Sequence, residues 1–96
     1  MSEARSPSLK ETFVIQNRLG LHARAAALFV QTVAGLDADV FVSKDAETVN
    51  GKSIMGLMML AAGMGSAIDV EACGPAAEEA LAKISALIED KFREPE

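Results

Sequence analysis

The sequence has no tryptophan and no tyrosine, and its four aromatic residues are all phenylalanine, although half of its residues are hydrophobic. A core built from this composition has to be aliphatic and methionine-rich. There is one cysteine, Cys73, so no internal disulfide can form. No apolar run reaches the roughly 18 residues that a membrane-spanning helix needs. The opening stretch, MSEARSPSLK, lacks the apolar centre of a signal peptide. Together these absences lead to the expectation of a cytoplasmic protein. Basic charge is also short: nine Lys and Arg stand against 14 Asp and Glu, a net charge of −5. A nucleic-acid binder normally presents a basic face, so the acidic balance argues against that class. Histidine occurs once, at His22. No cysteine, aspartate or second histidine stands near it at metal-ligand spacing, so no metal site is expected.

What is present suits one domain. A chain of 96 residues buries roughly two-thirds of the surface it exposes when unfolded, enough for a single core. Residues 10–16 alternate as a strand, with Phe13 and Ile15 on one side and Thr12 and Val14 on the other. After the loop NRLG, residues 23–34 read as a helix whose apolar stripe is Ala26, Phe29, Val30 and Val33, and Gly35 stops it. Residues 38–43 and 47–51 are two short strands. Residues 53–62 read as a short helix capped by Ser53, with Ile54, Leu57 and Ala61 inward. Residues 67–73 alternate strictly, as a half-buried strand does. Residues 74–92 form the last helix, with Pro75 near its first position, Glu78 and Glu79 in the first turn, and Lys91 and Arg93 near the end. Its inner stripe is Ala77, Leu81, Ile84 and Ile88.

The order β-α-β-β-α-β-α implies an α+β fold in two layers, a four-stranded antiparallel sheet with three helices on one face. Residues 1–9 are expected to be a flexible arm, 10–92 the domain and 93–96 a tail. Periodicity does not order the strands, so a ferredoxin-like core with an added C-terminal helix also satisfies the pattern.

His22 stands where a helix begins. As N-cap it would leave the backbone N–H groups of Ala23, Arg24 and Ala25 without intrahelical partners. Those groups and the helix dipole favour an anion just outside the helix end. Arg24 adds a permanently charged fork suited to phosphate. An imidazole beside such a site can carry a phosphoryl group, because phosphoryl transfer asks for positioning and charge stabilisation. The plain alternative is a polar surface residue at a helix start. Nothing marks a Ser-His-Asp triad. In the preceding loop, Asn17 and Arg18 are within reach of the phosphate, and Arg18 is the stronger candidate.

GLHAR followed by an alanine-rich helix resembles the active-centre segment of the histidine-containing phosphocarrier (HPr) family of bacterial phosphotransferase systems. VNGKSIMGLMML, residues 49–60, resembles the second-helix segment of the same family, and Ser53 follows His22 by 31 residues, the fitting distance. The likeness runs over residues 10–92. It implies an open-faced β-sandwich. It implies that His22 accepts a phosphoryl group from phosphoenolpyruvate-charged enzyme I and passes it to an enzyme II A component or a regulatory homologue. Such a protein is a phosphoryl-transfer intermediate rather than a turnover enzyme, needs no cofactor and acts as a monomer. The likeness spans sugar-uptake and nitrogen-type regulatory branches. The family usually has proline after the arginine, where this chain has Ala25, and this departure with the acidic balance leans toward the regulatory kind.

SIMGLMML holds more apolar side chains than one inner face can hide. Met55, Met58 and Met59 are therefore expected near the surface, where flexible methionine suits several partners. With Ile54, Gly56, Ala27 and Leu28 they make the expected docking patch. Core packing is the plain alternative for the methionines. Ser53 is a helix cap. In part of the family the matching serine is phosphorylated, so a serine kinase/phosphorylase is a further implied partner. Two other functions compete: a small phosphatase on a ferredoxin-like fold, and a regulatory protein-binding module that uses the Met-rich helix without phosphotransfer. Cys73 is expected to be packed, and Glu78, Glu79, Glu89 and Asp90 to be a solvated helix face.

Overall fold

Alternating side chains in the strands decide which face of the sheet the helices cover. The computed structural model describes residues 8–94. Strands β1 (Ser8–Val14), β2 (Asp39–Lys44), β3 (Glu47–Asn50) and β4 (Ala67–Cys73) form one sheet in the order β1-β4-β2-β3. Every neighbouring pair is antiparallel: Ser8 pairs with Cys73, Asp39 with Cys73, and Phe41 with Asn50. Phe13, Val40, Val42, Ile68, Val70 and Ala72 are buried on the helix side. Phe41, Lys10 and Thr12 stay exposed. With β4 and β2 in the centre, the ferredoxin-like alternative, which centres β1 and β3, is excluded.

Ser8 and Leu9, expected in the arm, instead pair with Cys73 and Ala72 of β4. The rest of that arm lies outside the described residues. Antiparallel pairing to a full-length β4 supplies backbone partners that alternation alone does not reveal.

Three helices cover one face: α1 (Ala23–Ala34), α2 (Ile54–Met59) and α3 (Ala77–Glu89). None among the described residues is long and apolar enough to cross a membrane. Helix α1 buries Ala26, Phe29 and Val33 as its spacing requires, and also Ala25. In α2, Ser53 is the N-cap and its hydroxyl accepts the Gly56 N–H at 3.0 Å. The helix is shorter than 53–62, since Ala61 takes a left-handed φ of 53°. Leu57 and Leu60 therefore bury, while Ile54 and Ala61 do not. The Ile54 side chain points back past the first helical position, where no earlier turn covers it. Gly56 is explained by the sheet, since a Cβ there would sit 3.2 Å from Val49 Cβ.

Helix α3 buries Ala77, Leu81, Ile84 and Ile88, joined by Ala80 and Leu87. It is shorter than 74–92 at both ends. Its N-cap is Ala76, so Pro75 precedes the helix. Beyond Glu89 the chain leaves the helix, and Lys91, Phe92 and Arg93 take φ values of 54°, 54° and 57°. Lys91 and Arg93 therefore do not sit in the last helical turn. A left-handed conformation costs a non-glycine residue roughly 1–2 kcal/mol. Burial of the Phe92 ring, 1 % exposed, opposes that cost.

Candidate functional site

The loop before α1 turns at Gly20, whose φ is +68°. A Cβ there would lie 2.4 Å from the Ala62 carbonyl oxygen. Leu21 donates its N–H to that same oxygen at 2.9 Å, and its side chain is buried. His22 donates its N–H to Gly20 O at 2.9 Å. The loop is thus pressed onto the segment between α2 and β4, and it delivers His22 to the N-cap with φ −78° and ψ −178°. The first helical bond runs from Ala26 N–H to His22 O at 2.8 Å. The N–H groups of Ala23, Arg24 and Ala25 precede that ladder, and none donates to another described residue.

The imidazole makes no capping bond, and its side chain is 28 % exposed. Its Nε2 lies 3.2 Å from Oε2 of Glu94. Asn17 Nδ2 donates to the same oxygen at 3.0 Å, and the Arg18 N–H donates to Oε1 at 2.9 Å. Arg24 is exposed and turns one guanidinium nitrogen to the Arg93 carbonyl at 3.4 Å. A cavity of about 410 Å³ gathers Arg18, Leu19, His22, Arg24 and Glu94.

Of the two loop candidates, Asn17 contributes the stronger side-chain contact. It is 1 % exposed, and its amide also donates to Gly20 O at 2.8 Å. Arg18 gives a backbone N–H to Glu94 and lines the cavity with its side chain. Ser53 is outside the residues that line this cavity. Ile54, Met55, Met58 and Met59 are exposed, while Ala27 and Leu28 are half-buried and Leu28 packs on the core. Two apolar residues that the sequence reading passed over, Leu19 and Met64, are 65 % and 60 % exposed. Leu19 shares a second hollow with His22, Ala61, Ala62 and Gly63. Leu19 thus sets exposed apolar surface beside the imidazole.

Glu94 is the residue that sequence reasoning missed, because it fell in the expected tail. Its only signal is a buriable aromatic, Phe92, two places earlier. The hydrogen bond from Asn17 above all holds its carboxyl below the usual carboxylate value, helped by the Leu19 and Arg18 amides and the His22 ring against partial desolvation. A lowered folded value means that the unfolded chain binds this proton more tightly. The stabilisation is therefore full above the ordinary value of 4.5 and lost as pH falls through the lower folded value. Thermal melts of the wild type and Glu94→Gln should show a wild-type advantage at neutral pH that shrinks as the pH falls below the ordinary carboxylate value. An advantage that survives acidification would show that the carboxylate charge is not what holds Glu94 in place.

The family model described as "PTS HPr component phosphorylation site" matches residues 9–90. The phosphocarrier protein HPr of Neisseria meningitidis is 48% identical over 88 residues, 92% of this chain and 99% of that protein. The phosphocarrier protein NPr of Escherichia coli is 41% identical over 88 residues, 91% of this chain and 98% of that protein. The crystal structure of HPr from Thermoanaerobacter tengcongensis superposes with a TM-score of 0.87 at 44% identity, covering 92% of this chain and 99% of that one. With a lone histidine at the N-cap of the first helix and this sheet order beneath it, the chain belongs to the HPr family of the phosphotransferase system.

Proposed function

We propose that the chain carries a phosphoryl group on His22, taken from phosphoenolpyruvate-charged enzyme I and passed to an enzyme II A component or a regulatory homologue. The observation that carries this reading is the single imidazole at the start of a 12-residue helix, beside three backbone N–H groups with no described acceptor. A phosphoryl group on that ring would meet the positive end of the helix dipole. Arg24, on the rim of the same cavity, supplies the mobile charge. Its bond to the Arg93 carbonyl is long and exposed, so the fork can leave it for a phosphoryl oxygen. The chain positions and transfers the group and does not turn over a small molecule.

Partners dock, in this reading, on the apolar surface of Met55, Met58, Met59 and Ile54, with Leu19 beside the imidazole. Ser53 caps α2 beside that surface. A phosphate on its hydroxyl would bring charge to the edge of an apolar interface and weaken docking. Such partners place the protein in the cytoplasm. The test is to mix the protein with enzyme I and phosphoenolpyruvate and look for an acid-labile mass gain of one phosphate. No gain with a competent enzyme I would leave a binding module that uses the Met-rich surface alone.

Ala25 stands third in α1 and is fully buried. Where the family's usual proline would remove one N–H and stiffen the turn, alanine keeps the donor. Ala25→Pro should accept the phosphoryl group within about tenfold of the wild-type rate, because the loop that places His22 is unchanged. A larger rise in stopped-flow or quench kinetics would show that Ala25 impairs the site.

A further inference from the structure

The large apolar side chains in and just after α2 sort by type. Leu57 and Leu60 are buried, whereas Met55, Met58 and Met59 are 70 %, 41 % and 64 % exposed. At about 100° per residue, the three methionines fall on the outer arc of the helix, away from the two leucines. Composition led to the expectation of a methionine-rich core, yet the buried hydrophobic residues include no methionine. Met64, between α2 and β4, is exposed as well, so every methionine among the described residues lies at the surface. Leucine would supply much the same apolar area. What methionine adds is a sulfur that peroxides oxidise. The one thiol stands elsewhere. Cys73 follows the buried Ala72 in β4, so it lies on the sheet face that the helices leave bare, with its Sγ 3.4 Å from the Ser8 hydroxyl.

We propose that Met55, Met58 and Met59 form a reversible oxidation site, at which peroxide closes the docking surface to enzyme I. The inference rests on the docking part of the phosphocarrier reading. The thioether sulfur attacks one oxygen of hydrogen peroxide. An S–O bond forms, the O–O bond breaks, and the other oxygen leaves as water after proton transfer. The sulfur loses two electrons and the peroxide gains them. A methionine sulfoxide reductase with a dithiol reverses the step: the sulfoxide oxygen leaves as water and the dithiol becomes a disulfide. The sulfoxide oxygen is a strong acceptor that meets no donor in an apolar interface, so the cost of stripping its water opposes docking. The fold is untouched, because the three side chains lie outside the core. Phosphoryl flow through the chain therefore falls when peroxide rises and recovers without new synthesis.

Protein treated with hydrogen peroxide should gain one oxygen on each of the three methionines by peptide mapping and keep its circular dichroism. Calorimetric binding to unphosphorylated enzyme I should weaken at least about tenfold. Methionine sulfoxide reductase with dithiothreitol should restore it, and dithiothreitol alone should not. A variant with Met55→Leu, Met58→Leu and Met59→Leu should bind equally before and after peroxide, each preparation compared with itself. Met59→Gln, a lasting polar stand-in, should bind enzyme I more weakly with no peroxide present. Oxidised protein that binds like untreated protein, a loss that dithiothreitol alone repairs or the reductase does not, or a leucine variant that still loses binding would overturn the proposal. Repair by dithiothreitol alone would assign the effect to Cys73, and loss in the leucine variant to Met64 or Cys73. Untreated protein that takes no phosphoryl group from a competent enzyme I would overturn the phosphocarrier reading instead, and the binding comparison would still decide the oxidation site.

Discussion

His22→Ala should lose all acid-labile phosphate while keeping its fold. The chain has no second histidine to take over. The ring makes no capping bond and is partly exposed, so its removal leaves no cavity in the core. Glu94 keeps its bonds to Asn17 and Arg18 when the ring is gone. The melting midpoint should accordingly move by only a few degrees, the effect of a surface substitution of about 0.5 kcal/mol. The two readouts must diverge: mass spectrometry goes from one added phosphate to none, and circular dichroism stays the same. Acid lability matters to the reading, because a phosphate on Ser53 would be an acid-stable ester. A variant that still gained an acid-labile phosphate would remove His22 from its assigned role.

Gly20→Ala should produce the largest loss of stability among the substitutions near the site. Two effects add. The left-handed φ of +68° is costly for any residue with a Cβ, roughly 1–2 kcal/mol. The new methyl would also lie 2.4 Å from the Ala62 carbonyl and 2.8 Å from Gly63 Cα. Those are backbone atoms that no rotamer change can move. Overpacking of this kind typically costs about 1–3 kcal/mol, so the sum is roughly 2–5 kcal/mol. For a domain of this length that lowers the melting midpoint by at least about 10 °C. Function should fall as well, because the Gly20 carbonyl receives the His22 N–H and the Asn17 amide. Urea melts and loading kinetics check both. A midpoint within a few degrees of the wild type would mean that the loop yields easily and does not fix the imidazole.

Much of this site was legible in the residues. Helix 23–34 was bounded by His22 and Gly35 because an N-cap, an apolar stripe and a stopping glycine agree there, and the structure has those bounds. Strand 67–73 was equally clear, since strict alternation has one reading. The end of α2 was harder. Nothing in SIMGLMMLAA marks the left-handed turn at Ala61, because alanine is a strong helix former. The expected inward set was therefore wrong at Ile54 and Ala61. The tail was harder still. Helix formers continue through Lys91 and Phe92, and no glycine or asparagine announces the reversal.

By itself, then, the sequence determined the element order, the buried stripes of α1 and α3 and the place of the one imidazole at a helix start, because capping and periodicity are local properties of the chain. The order of the strands, the approach of Asn17 and the carboxylate of Glu94 were decided by the tertiary structure alone. Glu94 lies 72 positions from His22, and no local preference relates two residues so far apart. They meet because Phe92 buries in the core formed by the rest of the chain, and the backbone takes a left-handed turn that it would not adopt without that core.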